Sequence, residues 1–143
     1  MDVSLLIVDP DSDFASTVDD HLRATRPDWS MTHAPNLEAV ERALAQGGFD
    51  AAVVHDRMGA PLAGELLAIL QARQPDCVRL VLTAPHTLDG ATELVSTCHR
   101  VLVEPCAPSS LCLAVEHARR LRDVLGRSGV RALGLRRRNP DSR

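Results

Sequence analysis

Four short runs that are apolar at nearly every position constrain this chain most: "VSLLIV" (3–8), "AAVVH" (51–55), "VRLVLT" (78–83) and "RVLV" (100–103). Strands without a polar face must be covered on both sides, which is the situation of strands in a parallel sheet. Between these runs, and around the more mixed "WSMTHA" (29–34), lie segments with apolar residues at helical spacing, such as Phe14, Val18 and Leu22. "NLEAVERALAQGG" (36–48) reads as a helix with Asn36 as N-cap and Gly47 and Gly48 as its stop. "GELLAILQARQ" (64–74) ends before Pro75, "TLDGATELVSTC" (87–98) is a weaker helix containing Gly90, and "LCLAVEHARRLRDVL" (111–125) is the longest. Parallel neighbours need crossover connections of one hand. The pattern therefore predicts an α/β fold, a five-stranded parallel sheet with helices on both faces.

With 143 residues, 45% of them apolar, the chain is long enough for one folded domain. The pattern assigns residues 1–125 to the domain and 126–143 to a flexible, arginine-rich tail. Charge is segregated: residues 119–143 hold nine arginines against Asp123 and Asp141, a local +7, which leaves −10 for residues 1–118. The tail is a solvated end or an arm for an acidic partner. No lysine occurs, so chemistry needing an ammonium group is excluded. Aromatics are limited to Phe14, Phe49 and Trp29, which disfavours stacking on single-stranded nucleic acid. Cys77, Cys98, Cys106 and Cys112 form no Cys-x-x-Cys pair and read as small, mostly buried residues. No run of eighteen apolar residues occurs and no charged leader precedes "VSLLIV", so the expected location is cytoplasmic, without a membrane span.

In parallel α/β sheets ligand chemistry gathers beyond the carboxyl ends of the strands. The polar residues there are Asp9, His55 with Asp56, Thr83 and Glu104. Over residues 3–125 the chain resembles the receiver domain of two-component response regulators, a (βα)5 flavodoxin-like fold. The resemblance is carried by "FDAAVVHDRMGAPLAGELLAILQARQPDCVRLVLT" beside that family's third strand, third helix and fourth strand, and by "HRVLVEPCAPSSL" beside its fifth strand and following loop. The family holds Mg2+ on two acids after strand one, phosphorylates an Asp ending strand three, and keeps a Thr or Ser after strand four and a Lys before a Pro after strand five. Here Asp9 matches the first acid, Pro10 takes the place of the second, His55 falls at the phosphoacceptor, Thr83 keeps the hydroxyl and Glu104 stands at the lysine position.

The resemblance thus implies a degenerate receiver. Asp9 is left as the matched metal ligand, with Asp11 as a stand-in for the missing acid or as a charge at the start of the first helix. Glu104 would repel a phosphoryl group. His55 and Glu104 reverse the signs of the family's Asp–Lys pair and are expected to bridge each other. Asp56 is the alternative acceptor, eight residues before Gly64, although strand alternation would turn it away from the crevice. The remaining histidines read as packed or surface groups (His21, His33, His117) or as flanks of the 87–98 segment (His86, His99).

These features predict a non-enzymatic signalling domain, a phosphorylation-independent protein-interaction module with no cofactor. The resemblance points to a signalling partner or a homodimer on the face of the 87–98 segment, the fifth strand and the last helix, near Thr87, Thr92, Arg100 and Glu116; nucleic acid is disfavoured. The alternative is an active receiver, taking phosphate from a histidine kinase at Asp56 with Mg2+ bound.

Overall fold

The computed structural model describes residues 2–87 and 92–125. The expected tail, 126–143, and Gly90 lie outside the described residues. Five strands, β1 (Val3–Val8), β2 (Trp29–Ala34), β3 (Ala51–His55), β4 (Val78–Thr83) and β5 (Arg100–Val103), form one parallel sheet in the order β2-β1-β3-β4-β5. The predicted sheet is therefore present. Strand order reverses between β1 and β3, whose carboxyl ends open the crevice expected at such a switch point.

Two cores follow from strand alternation. Leu5, Ile7, Val53, Leu80 and Leu82 face α1 (Asp13–Thr25) and the last helix, α4 (Pro108–Val124), which bring in Val18, Leu22, Leu111 and Val115. Leu6, Val8, Val54 and Val81 face α2 (Leu37–Gln46) and α3 (Ala60–Arg73). In α3 the buried stripe Ala63, Leu66, Leu67, Leu70 has the i, i+3, i+4, i+7 spacing of a helix laid on a sheet. At α2 the Asn36 side chain accepts the Ala39 N–H at 2.9 Å, the expected cap. Cys77 and Cys112 are buried in the cores, and burial pushes the Cys77 thiol up to about 12. No described helix is long and apolar enough to cross a membrane.

The expected helix over 87–98 is not formed by its described part. Instead 3-10 turns run over Pro85–Thr87 and Thr92–Thr97. Thr92, Val95 and Thr97 are β-branched and lose rotamer freedom in an α-helix, and Thr97 uses its hydroxyl to bond the Leu94 carbonyl at 2.9 Å instead. This segment still closes its core, since Leu94 is buried and a Cβ on Gly64 of α3 would meet its Cδ2 at 3.3 Å.

Behind β4, Arg79 is buried and satisfied by backbone: its Nε bonds the Thr97 carbonyl at 3.1 Å and its Nη1 the Cys77 carbonyl at 3.2 Å. The Arg79 N–H donates to His99 Nδ1 at 2.8 Å. Partial desolvation of the ring, and then the Arg79 guanidinium, hold the His99 imidazole below its ordinary value of 6.5. A depressed imidazole adds stability above the unfolded value, and that stability is lost as pH falls through the folded one. Wild type is therefore expected to lose more stability than His99→Gln between about pH 7.5 and pH 5 in denaturant titrations; a constant difference contradicts the assignment.

Gly59 joins the turn after β3 to α3 with φ +100° and ψ 141°, a region that side chains avoid. Gly59→Ala is expected to lower stability by about 1–3 kcal/mol, read from the urea midpoint at unchanged slope.

Candidate functional site

The crevice is built from the first residues past β1, β3, β4 and β5. Asp9 directly follows β1 and is 0% exposed, its N–H pinned to the Ala34 carbonyl at 3.1 Å. His33 on the neighbouring β2 places Nε2 2.8 Å from the Asp9 carbonyl. Asp9 Oδ1 accepts the Asp11 N–H at 2.9 Å, and Asp11 Oδ1 in turn accepts the Asp13 N–H at 2.9 Å. Asp11 thus supports the entry to α1 with its carboxylate at the positive end of the helix.

Past β3 the structure departs from the expected alternation. His55 is 3% exposed and ends the strand, but the chain then tightens into a 3-10 turn over Asp56–Met58. Strand alternation ceases there, so Asp56 is not turned outward. It is 7% exposed and its Oδ2 accepts the Thr83 hydroxyl at 2.7 Å. Thr83 Oγ1 lies 2.9 Å from the Thr87 hydroxyl, which donates to the Ala84 carbonyl at 3.1 Å. Asp56 Oδ1 is buried without a hydrogen-bond partner among the described residues.

Glu104 follows β5 with its N–H on the Thr83 carbonyl at 2.8 Å. His55 Nδ1 accepts the Arg57 N–H at 3.0 Å, so in the neutral ring the proton sits on Nε2. Nε2 comes within 3.2 Å of Glu104 Oε1, but the two meet in distance without hydrogen-bond alignment. The expected pair is a close approach of opposite charges when the ring is protonated rather than a formed bond.

Arg57 is the residue that sequence reading missed. Its side chain, 36% exposed, places Nε 2.9 Å from Asp9 Oδ1, Nη1 3.6 Å from Asp11 Oδ2 and Nη2 3.7 Å from Glu104 Oε2. One guanidinium therefore meets three carboxylates from two separate strand-end segments, those after β1 and β5. The available signal was a cation two residues beyond the strand end, in "HDR", next to a crevice already counted as rich in acids.

No family model and no curated protein matches the chain in sequence. Solved structures do match in shape. A response regulator receiver domain protein from Clostridium thermocellum superposes with a TM-score of 0.72 at 17% identity, covering 86% of this chain and 98% of its own. A CheY-like receiver domain protein from Methanospirillum hungatei JF-1 gives 0.74 at 14% identity, covering 86% and 98%. The fold is that of a receiver domain. A structure described as adenylate cyclase from Rhodopirellula baltica also shares it, with a TM-score of 0.74, 23% identity and coverage of 94% and 98%.

Receiver folds that use Mg2+ need several oxygens in near-octahedral array. With Arg57 among them, the groups here do not present that array. Pro10 offers no side-chain oxygen and Asp9 Oδ1 is already engaged by Arg57, which leaves only Asp9 Oδ2 and Asp56 Oδ1 as buried carboxylate oxygens without a hydrogen-bond partner among the described residues. Among the described residues no three His, Cys, Asp or Glu side chains are disposed to hold a metal.

The Thr83–Asp56 contact within this receiver fold is open to direct test. Thr83→Val keeps the shape of the side chain but removes the hydroxyl donor from a buried carboxylate. Stability is expected to fall by about 1–3 kcal/mol in urea titration; a loss confined to a few tenths would mean that Asp56 finds water instead.

Proposed function

We propose that this receiver-fold domain acts in signal transduction as a non-enzymatic protein-interaction module whose surface does not depend on phosphorylation. The observation that carries the reading is the 3.2 Å approach of His55, which the resemblance sets at the phosphoacceptor position, to Glu104, which it sets at the lysine position. An imidazole there cannot form an acyl phosphate, and a carboxylate opposite it repels a phosphoryl group instead of holding it.

The proposed contact face is formed by the Thr92–Thr97 turn, β5 and α4. Val95, Val103, Leu113, Leu121 and Val124 are all exposed there, an apolar concentration consistent with a signalling partner or a second copy of the chain. On the same side a cavity of about 300 Å³ is lined by His99, Arg100, His117, Leu121 and Arg122. Its cationic rim favours an acidic contact over a basic one.

One observation favours the second reading, an active receiver with Asp56 as acceptor. Asp56 is turned inward onto Thr83, with Oδ1 free of hydrogen bonds among the described residues. Under that reading a histidine kinase supplies the phosphate, and Asp9 and Asp11 would have to leave Arg57 to hold Mg2+.

Amide NMR during addition of Mg2+ and then beryllofluoride, a mimic of the bound phosphoryl group, separates the two. The module predicts no localised response at millimolar Mg2+. Shifts centred on Asp9, Asp56 and Thr83 and spreading to β5 would replace it with the active receiver.

A further inference from the structure

The misfit between this crevice and a divalent cation has a specific cause. Asp9, Asp11 and Glu104 converge from the ends of β1 and β5, yet a single guanidinium already lies among them. We propose that Arg57 is the resident cation of the crevice, standing in for a metal ion and excluding one. The inference rests on the reading of the domain as a receiver fold without a phosphoryl switch, and it assigns the cation that such a domain still needs.

Need for a cation follows from burial. Asp9 is 0% exposed and its Oδ2 has no hydrogen-bond partner among the described residues, so the charge on this carboxylate is met through Oδ1, by the Asp11 N–H and Arg57 Nε. Two further buried polar atoms of the cluster, His55 Nε2 and Asp56 Oδ1, also lack hydrogen bonds among the described residues. A small dehydrated ion needs a closed shell of oxygens, whereas a planar fork reaches carboxylates that stand apart. The contacts at 2.9, 3.6 and 3.7 Å have that spread-out character.

The cation is also held in place by its own backbone. The Arg57 N–H is bound to His55 Nδ1 at 3.0 Å, and the turn that carries it is closed by the Gly59 N–H on the Asp56 carbonyl at 2.8 Å. A tethered guanidinium cannot be diluted away, so the ends of β1 and β5 remain linked whatever the metal concentration. Metal entry would require that side chain to leave, or would place a second cation against it.

Manganese broadening of amide signals in the full 143-residue chain tests this, with wild type, Arg57→Gln and Arg57→Gln/Asp9→Asn compared. Wild type is expected to show no localised broadening at Mn2+ concentrations that broaden Asp9, Asp11 and Glu104 in Arg57→Gln, a gain in affinity of roughly tenfold or more from removing one nearby positive charge. Adding Asp9→Asn should abolish the gain. Equal broadening in wild type and Arg57→Gln, or none in either, overturns the proposal. Should Arg57→Gln fail to fold, the wild-type Arg57 Nε–H carries the test. It should exchange with solvent far more slowly than that of Arg100, which is exposed and makes no ion pair among the described residues, and equal exchange overturns the proposal. The outcomes are separable from those of the phosphoryl reading. A wild type indifferent to beryllofluoride with an Arg57→Gln indifferent to Mn2+ keeps the interaction module and removes the resident cation.

Discussion

Asp9 is a fully buried carboxylate, and the upper rim of the sheet is organised around keeping its charge. A buried ion without a partner is strongly unfavourable. Arg57 meets that demand from the far side of the switch point, so the ion pair joins the end of β1 to the turn after β3. Glu104 extends the link to the segment after β5. A cluster that would repel itself as bare carboxylates becomes a tie across the open end of the fold.

The rest of the architecture explains why the tie sits there. β1, β3 and β4 are buried on both faces, and their side chains are committed to two apolar cores. Polar chemistry is consequently confined to the residues immediately past each strand. Reversal of strand order between β1 and β3 spreads their helices to opposite faces and leaves the gap into which Asp9, His55 and Arg57 project.

Much of this was legible from local rules. Nearly continuous apolar runs predicted the strands to within a residue, because two-sided burial leaves no room for another pattern, and Asn36 declared the start of α2 by its own chemistry. The crevice residues Asp9, His55, Thr83 and Glu104 were legible as strand ends. Asp56 was misjudged because alternation was extended one residue beyond the point where the chain turns into a 3-10 helix. Arg57 was invisible for a related reason: its role depends on the distance between β1 and the turn after β3, which no single stretch of sequence encodes. The 87–98 segment failed as a helix because β-branched residues and side-chain bonding outweighed its weak periodicity.

Under the proposed function, loss of the phosphoryl switch and retention of the fold are one physical statement. Glu104 is the next residue after Val103, whose side chain is exposed on β5, so whatever fixes Glu104 also fixes the edge of the outer surface. A metal-dependent switch would let that edge respond to an occupant. Here the carboxylate lies 3.7 Å from the Arg57 guanidinium and 3.2 Å from the His55 ring, both supplied by the same short stretch of chain, and neither can leave the molecule. A crevice bridged from within holds its rim in a single arrangement, and a partner that recognises that arrangement finds it present at all times.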